Sequence, residues 1–158
     1  MELKLAYDTP ETVRELFAEY TQMLVEKDPG IRAFLDLQHY DDELDDPTKK
    51  YGLPDGRLYV AWCDGQAAGC IALRRLDDTT CELKRLYVRP AFRGRGIAGA
   101  MMQRILDDAR AIGYTAMVLD TQPYLASAVQ MYRALGFYDI PPYNDSPLDT
   151  TIFLRLDL

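Results

Sequence analysis

Apolar residues recur at every third or fourth position in several stretches of the chain, a spacing that places them on one buried face of a helix. The first such stretch is "PETVRELFAEYTQMLVEK", for which Asp8 or Thr9 provides the start and Pro10 the first turn. A second runs from Gly96 to Gly113, and a glycine at that end is typical of a helix C-terminus. Helices are also predicted over "IRAFLDL" and over "YLASAVQMYRAL".

Runs rich in β-branched and aromatic residues, bounded by turn residues, indicate strands. Three of them are joined by tight turns at Asp64–Gly65 and Asp77–Asp78, so we expect antiparallel neighbours. These three are "RLYVAWC", "QAAGCIALRRL" and "TCELKRLYV", and further strands are predicted at "LKLAY", "TAMVLDT" and "TTIFLRLDL". Residues 38–56 are acidic and interrupted by proline and glycine, which predicts a loop with room for a short helix.

The length of 158 residues, without a repeat or a linker, predicts one domain over residues 1–158. A composition that is 48% hydrophobic and 27% charged is globular, and no apolar run is long enough for a membrane span. The first ten residues do not resemble a signal peptide, so we expect a cytoplasmic protein. A net charge of −7 argues against nucleic acid as a partner.

Metal and disulfide chemistry have little support in the sequence. Cys63, Cys70 and Cys81 each lie in a predicted strand, and their number and spacing give neither a disulfide framework nor a zinc pattern. We therefore expect buried thiols and no metal. His39 is the only histidine and receives no role.

One basic cluster stands out against the acidic chain, because residues 84–95 contain five cations and no acid. Within it Gly94 and Gly96 precede the second long helix. The first N–H groups of a helix lack partners and attract anions, and residues without a side chain let the anion approach the backbone. The cluster therefore predicts a phosphate site, although a glycine turn with solvated arginines would show the same spacing.

A dinucleotide-binding turn is the alternative, since Gly94, Gly96 and Gly99 spell G-x-G-x-x-G and Asp120 ends a later strand. That fingerprint needs a strand leading directly into its first glycine. Here five residues separate Val88 from Gly94, and the upstream strands form a meander. The dinucleotide interpretation is therefore disfavoured.

The segment Arg93-Gly94-Arg95-Gly96-Ile97-Ala98 resembles the [RQ]-x-x-G-x-[GA] motif of the GNAT superfamily of N-acetyltransferases. The preceding "CELKRLYV", the following apolar helix and "SAVQMYRALGF" extend the similarity over about residues 58–140. The resemblance implies an α/β (α+β) acyl-CoA N-acyltransferase fold. In such a fold a mixed, mostly antiparallel central sheet with splayed central strands is flanked by helices.

The resemblance also implies acetyl-CoA as cosubstrate. The loop would hold its pyrophosphate, and the strand before the loop would pair with the pantetheine arm. The implied cofactor-binding residues are Leu86, Tyr87, Val88, Arg93, Gly94, Arg95, Gly96, Ile97 and Ala98. The family often has an asparagine where this chain has Leu125, so that contact is open, and Ser127 is the alternative candidate.

Two catalytic residues follow from the same resemblance. Glu82 occupies the position of a glutamate base that acts directly or through water, and by strand alternation it shares a face with Lys84. A structural ion pair of Glu82 with Lys84 or Arg85 is equally open. Tyr132 matches the tyrosine that protonates the departing thiolate, although its helical position also suits a core residue.

The implied activity is direct transfer of an acetyl group to a primary amine in a ternary complex. A non-catalytic acyl-CoA-binding regulatory module is the alternative. The acceptor, a small-molecule or a protein amine, stays open. The acidic run at residues 41–46 suggests a cationic acceptor such as a polyamine or a lysine side chain, unless it is a solvated loop, whereas Arg74, Arg75 and Lys84 suggest an amino-acid-like acceptor with a carboxylate. No nucleic-acid or membrane partner is expected, and a homodimer is common in the family.

Overall fold

The computed structural model describes residues 1–158. It contains seven strands and six helices, with a short 3₁₀ turn before the fifth helix. In chain order they are β1 (Glu2–Leu5), α1 (Pro10–Lys27), α2 (Ile31–Leu37), α3 (Tyr40–Asp45), α4 (Pro47–Lys50), β2 (Arg57–Cys63), β3 (Gln66–Arg75), β4 (Thr80–Val88), α5 (Ile97–Ile112), β5 (Ala116–Thr121), α6 (Ala126–Ala134), β6 (Tyr138–Asp139) and β7 (Ile152–Asp157).

All seven strands form one sheet in the order β1-β2-β3-β4-β5-β7-β6. Every neighbouring pair is antiparallel except β4 and β5, which are parallel. The parallel pair arises because α5 carries the chain from the end of β4 back to the start of β5, as a crossover connection must. The predicted mixed, mostly antiparallel sheet and the predicted hairpins are confirmed.

Helices cover both faces of the sheet. Along β2, Leu58 and Val60 pack with residues of α1 and α2, whereas Tyr59 and Ala61 pack with residues of α5. This alternation follows from the two-residue period of a strand. No helix combines the length and the apolar character needed to cross a membrane.

The region of residues 38–56, predicted as a loop with room for a short helix, contains two short helices, α3 and α4. Strand β6 has only two residues and no pattern in the sequence that indicates it. The three cysteines are free and buried, as expected. Burial raises the pKa of the Cys81 thiol to about 12, so this thiol stays protonated at neutral pH.

A buried ion pair attaches α3 to the central strand. Glu43 is 3% exposed, and its carboxylate accepts hydrogen bonds from Arg85 Nε at 2.7 Å and from the Tyr51 hydroxyl at 2.8 Å. Burial acts to raise the pKa of Glu43, but the nearby charges and hydrogen bonds of Arg85 and Lys50 outweigh it and lower the pKa from 4.5 to about 2.

We expect Glu43→Gln to remove a pH-dependent part of the stability. The folded pKa lies below the unfolded one, so the stabilisation is complete above about pH 4.5 and is lost as the pH falls toward 2. The free energy of unfolding of both proteins is measured in urea at each pH. The excess of the wild type over the variant should be larger at pH 7 than near pH 2, by on the order of 3 kcal/mol. Asp41→Asn, at an exposed carboxylate of the same helix, is the control. Parallel pH curves for wild type and Glu43→Gln would contradict this assignment.

Candidate active site

The central feature of the site is the gap between β4 and β5. The two strands pair only over residues 80–82 and 116–118. Beyond these residues β4 continues to Val88 and β5 to Thr121 without pairing to each other, so the strands diverge as predicted. A cleft of about 460 Å³ occupies the gap and reaches the start of α5 and one side of α6. We call it the first cleft.

The glycine loop forms one end of the first cleft. Gly94 and Gly96 have φ values of +78° and +75°, in the left-handed region that side chains disfavour. A Cβ atom at either position would meet no protein atom within 4 Å, so the space in front of both backbones is open. The hydrogen bond from Ala100 N to Gly96 O begins α5, which leaves the N–H groups of Ile97 and Ala98 without helical partners. The loop therefore presents backbone donors to the cleft.

The two loop arginines differ in position. Arg93 lines the first cleft, and its Nε donates to the Val88 carbonyl at 3.0 Å. The Arg95 guanidinium lies 5.3 Å from the centre of the Phe92 ring and is not among the lining residues. Of the two loop arginines predicted to bind the cofactor, only Arg93 therefore brings its side chain to the first cleft. Arg95 can contribute only through its backbone and its charge.

Strand β4 provides one side of the first cleft. Its residues 86–88 all line the cleft, as the sequence suggested. Their pairing with β3 occupies one edge of the strand, so the edge that faces β5 has no strand partner. A bulge interrupts the β3–β4 register between Cys70 and Ala72, and Arg85 nearby has a φ of +58°. Such a bulge bends the strand locally, which fits the divergence of β4 from β5.

Helix α6 and the residue before it provide the opposite side. Leu125 and Ser127 both line the first cleft, and only Ser127 offers a polar side chain. Tyr132 also lines the cleft, although it is only 5% exposed. Its ring packs at 5.7 Å from that of Phe137, and its hydroxyl donates no hydrogen bond within the protein. Burial raises the pKa of Tyr132, so the hydroxyl keeps its proton and is available to donate.

Glu82 lies outside the first cleft and lines a neighbouring one. It is 1% exposed, and its two oxygens accept hydrogen bonds at 2.6 Å from Arg74 Nε and from the Tyr143 hydroxyl. Lys84 Nζ lies 3.8 Å away, whereas Arg85 pairs with Glu43 instead. Burial acts to raise the pKa of Glu82, but the charges of Lys84 and Arg74 prevail and lower it. Glu82 is therefore ionised at neutral pH.

The neighbouring second cleft has a volume of about 710 Å³. It lies among α2, α3, α4, the ends of β3 and β4, and the segment between β6 and β7. Lys84 is the only residue that lines both clefts. The two clefts therefore adjoin at this side chain.

The sequence did not single out some polar residues at this junction. Asp120, at the end of β5, lines the first cleft, and its Oδ2 accepts a hydrogen bond from Asn144 Nδ2 at 2.8 Å. Lys84 Nζ is 4.0 Å from the same oxygen and 3.1 Å from Gln38 Oε1. The sequence placed Asp120 at a strand end, but only as the acid of the disfavoured dinucleotide interpretation. Gln38 and Asn144 lie in segments without periodicity, so only the fold brings them here.

The acidic run and the three cations, which suggest opposite kinds of acceptor, differ in which of their side chains are already paired. Within the acidic run, Glu43 is neutralised by Arg85, and the Asp46 side chain accepts a hydrogen bond from Thr48 N at the start of α4. Among the cations, Arg75 pairs with Asp55 and Asp78, away from both clefts. Arg74 and Lys84 remain in the second cleft.

Known proteins resemble this chain over most of its length. The acetyltransferase (GNAT) family model matches residues 11–137. An uncharacterized N-acetyltransferase of Schizosaccharomyces pombe is 39% identical over 126 residues, which cover 78% of this chain and 77% of that protein. The N-acetylaspartate synthetase of Danio rerio is 35% identical over 133 residues, covering 78% of this chain and 47% of the relative.

A solved structure shows the same fold. The PaiA N-acetyltransferase of Thermoplasma acidophilum, in complex with coenzyme A, aligns with a TM-score of 0.75 at 15% identity, and the alignment covers 100% of both chains. The α/β architecture derived above, with its mixed sheet and flanking helices, is thus that of known acetyltransferases.

Proposed function

The chain belongs to the acetyltransferase (GNAT) family and is an acyltransferase, and we propose that residues 1–158 form one catalytic domain that transfers acetyl from acetyl-CoA to a small-molecule amine. The observation that carries this proposal is the meeting of two clefts at Lys84, one of them ending at the glycine loop. A relative named N-acetylaspartate synthetase supports a small molecule, rather than a protein, as acceptor.

Acetyl-CoA fits the first cleft by its chemistry. Its diphosphate would bind the free N–H groups of Ile97 and Ala98 at the positive end of α5, with Arg93 nearby to offset its charge. The pantetheine arm carries amides, which would pair with the unpartnered edge of β4 at residues 86–88. The neighbour crystallised with coenzyme A supports this cosubstrate.

Acetyl transfer to an amine requires the loss of a proton. An alkyl ammonium with a pKa of about 10.4 is neutral in roughly one molecule per thousand at pH 7, which costs about 4 to 5 kcal/mol. A carboxylate near the acceptor lowers this cost by taking the proton directly or through water. Two carboxylates lie near the junction of the clefts, Glu82 and Asp120.

We assign the base role to Glu82, acting through water. It lines the second cleft, where an acceptor would enter, but both of its oxygens already accept hydrogen bonds, so direct contact with the amine would displace a partner. Asp120 is the second candidate, because it lines the first cleft and its Oδ1 accepts no hydrogen bond.

Glu82→Gln is expected to lower kcat/KM for the amine by about a hundredfold, the usual contribution of a general base. The Kd for acetyl-CoA should not change, because Glu82 does not line the first cleft. Since the pKa of Glu82 is already below 4.5, the rise of the rate with pH near neutrality should follow the amine in both proteins. Asp78→Asn, at an exposed carboxylate, is the control. If Glu82→Gln keeps the full kcat/KM while Asp120→Asn loses it, the general base is Asp120 and not Glu82.

The transfer itself needs no covalent enzyme intermediate. The amine lone pair attacks the thioester carbon, a C–N bond forms, and the C–S bond breaks as the tetrahedral intermediate collapses. The departing thiolate then needs a hydrogen-bond donor, and we assign this role to Tyr132, one of the protonated tyrosines that line the first cleft. The cysteines offer no nucleophile to the substrates, because all three are buried and none lines either cleft. We therefore propose direct attack in a ternary complex.

An assay of free thiol tests the function. The protein should release coenzyme A thiol from acetyl-CoA when one member of a panel of amines is added, and the product should be the acetylated amine by mass spectrometry. Binding of acetyl-CoA without thiol release for any amine would instead favour the regulatory module.

A further inference from the structure

Lys84 carries hydrogen-bond donors that the protein leaves unused. Its side chain is 5% exposed, and its ammonium has three N–H donors. Only Gln38 Oε1, at 3.1 Å, is within hydrogen-bond distance. The nearest oxygens of Glu82 and Asp120 are 3.8 and 4.0 Å away. A buried ammonium with unfilled donors is costly unless a ligand completes its partners.

Arg74 shows the same feature in the same cleft. Its Nε donates to Glu82 Oε1 at 2.6 Å, but its two terminal nitrogens have no partner, and a third of its side chain is exposed. Arg74 lines the second cleft together with Lys84. Two cations with free donors thus face one space, which suits an anion with two oxygens, such as a carboxylate.

Acceptor atoms for an amine lie next to these cations. Asn144 Oδ1 is buried and has no hydrogen-bond partner, and its Nδ2 donates to Asp120 Oδ2 at 2.8 Å. Asp120 Oδ1 also accepts no hydrogen bond. Asn144 lines the second cleft and Asp120 the first, so an amine bound to their free oxygens would lie beside Lys84, which lines both. These acceptors suit the N–H groups of an amine.

We propose, on the basis of the acetyl transfer proposed above, that the acceptor is an α-amino acid whose carboxylate binds Lys84 and Arg74 and whose amine binds the free oxygen of Asp120 beside Asn144. In an α-amino acid the amine nitrogen and the carboxylate carbon are about 2.5 Å apart. Lys84 Nζ lies 4.0 Å from the nearer oxygen of the Asp120 carboxylate, so the ammonium and the carboxylate are close enough to contact the two groups of one such molecule. Asp42, Asp46 and Asp145 also line the second cleft, so a polyamine is the alternative acceptor that the experiment below must separate from an amino acid.

Pairs of matched amines test this inference. Each of the common α-amino acids is compared with its α-amide and its decarboxylated amine, with thiol release from acetyl-CoA as the readout. We expect at least one amino acid to exceed its own amide by about a hundredfold in kcat/KM, as for a site built around a buried charge. If amides or simple amines are acetylated as well as the acids, the inference fails while the proposed acetyl transfer stands. If no amine releases thiol although acetyl-CoA binds, the proposed function fails, and the inference fails with it.

Lys84→Met then tests the assigned carboxylate site. The variant should reduce the ratio of kcat/KM for acid over amide by about tenfold or more, and Lys84→Arg should restore part of it. This ratio does not depend on the fraction of folded enzyme, and a merely structural role would not change it. Arg74→Gln provides a second, less buried variant and should lower the same ratio. Arg75→Gln, whose arginine pairs outside the clefts, is the matched control. An unchanged ratio in both Lys84→Met and Arg74→Gln would overturn the assignment.

Discussion

Gly96→Val is expected to weaken coenzyme A binding by about a hundredfold or more in a calorimetric titration, because a side chain there would occupy the diphosphate site. The space in front of Gly96 is open in the protein, so a Cβ atom there would meet no protein atom within 4 Å. It would instead fill the approach to the N–H groups that begin α5. Gly94→Val should act in the same direction, since its surroundings are equally open.

A valine at these positions also strains the backbone, and Gly65→Val separates that effect from ligand exclusion. Gly65 lies in the turn between β2 and β3, with a φ of +78° and no protein atom near its Cβ position, which matches Gly94 and Gly96. All three variants should lose a similar stability, of about 1 to 3 kcal/mol. Only the two loop variants should lose coenzyme A affinity. Equal affinities in Gly96→Val and Gly65→Val would contradict the diphosphate assignment.

The second large effect is expected from Tyr132→Phe, which should lower kcat by about a hundredfold. The variant keeps the ring and its packing on Phe137 but removes the hydroxyl that can donate to the departing thiolate. Because burial raises the pKa of Tyr132 above that of a thiol, this residue stabilises the thiolate chiefly as a hydrogen-bond donor. The Kd for acetyl-CoA, measured by calorimetry, should stay within about threefold of the wild-type value.

Tyr114→Phe is the matched control for Tyr132→Phe. Tyr114 is a buried tyrosine of the same core cluster, but its hydroxyl donates to the Asp55 carbonyl and lies outside both clefts. Its loss should reduce stability by about 1 kcal/mol and leave kcat unchanged. If Tyr132→Phe retains the wild-type kcat, Tyr132 is a core residue and the thiolate is protonated by another group.

The sequence predicts the frame of the site because that frame is local. The strand β4, the glycine loop and the start of α5 are consecutive in the chain, so their spacing is visible as periodicity and as a cluster of glycine and arginine. The positive φ of Gly94 and Gly96 follows from the same local requirement. The sequence could not predict that Arg95 lies over Phe92. Arg93 and Arg95 each precede a glycine of the loop, so nothing in their spacing distinguishes the two side chains.

The second cleft could not be predicted because long-range contacts create it. Tyr143 and Glu82 are 61 residues apart in the chain, and Lys84 and Gln38 are 46 apart. The sequence did not decide whether Glu82 is a catalytic base or the partner of Lys84 or Arg85 in a structural ion pair. In the structure Lys84 does form an ion pair with Glu82, at 3.8 Å, but the hydrogen-bonded cation is Arg74, which is directly opposite Glu82 on the antiparallel strand β3. The pairing register of β3 and β4 therefore brings Arg74 to Glu82, which the alternation of side chains along β4 alone could not predict.

The acidic run of residues 41–46 was ambiguous for a similar reason. Charge patterning shows that acids are present but not which of them turn inward. Glu43 alone is buried, because Arg85, Lys50 and Tyr51 supply its partners from two other elements and the turn before β2. The run thus stabilises the fold near the second cleft and does not by itself indicate a cationic acceptor.

The most direct test of the account compares coenzyme A with pantetheine in calorimetric titrations of the wild-type protein. Pantetheine keeps the thiol arm and lacks the diphosphate that the glycine loop is proposed to hold. The account predicts one coenzyme A per chain and binding of pantetheine weaker by about a hundredfold or more. Absence of coenzyme A binding, or equal affinity for pantetheine, would contradict it.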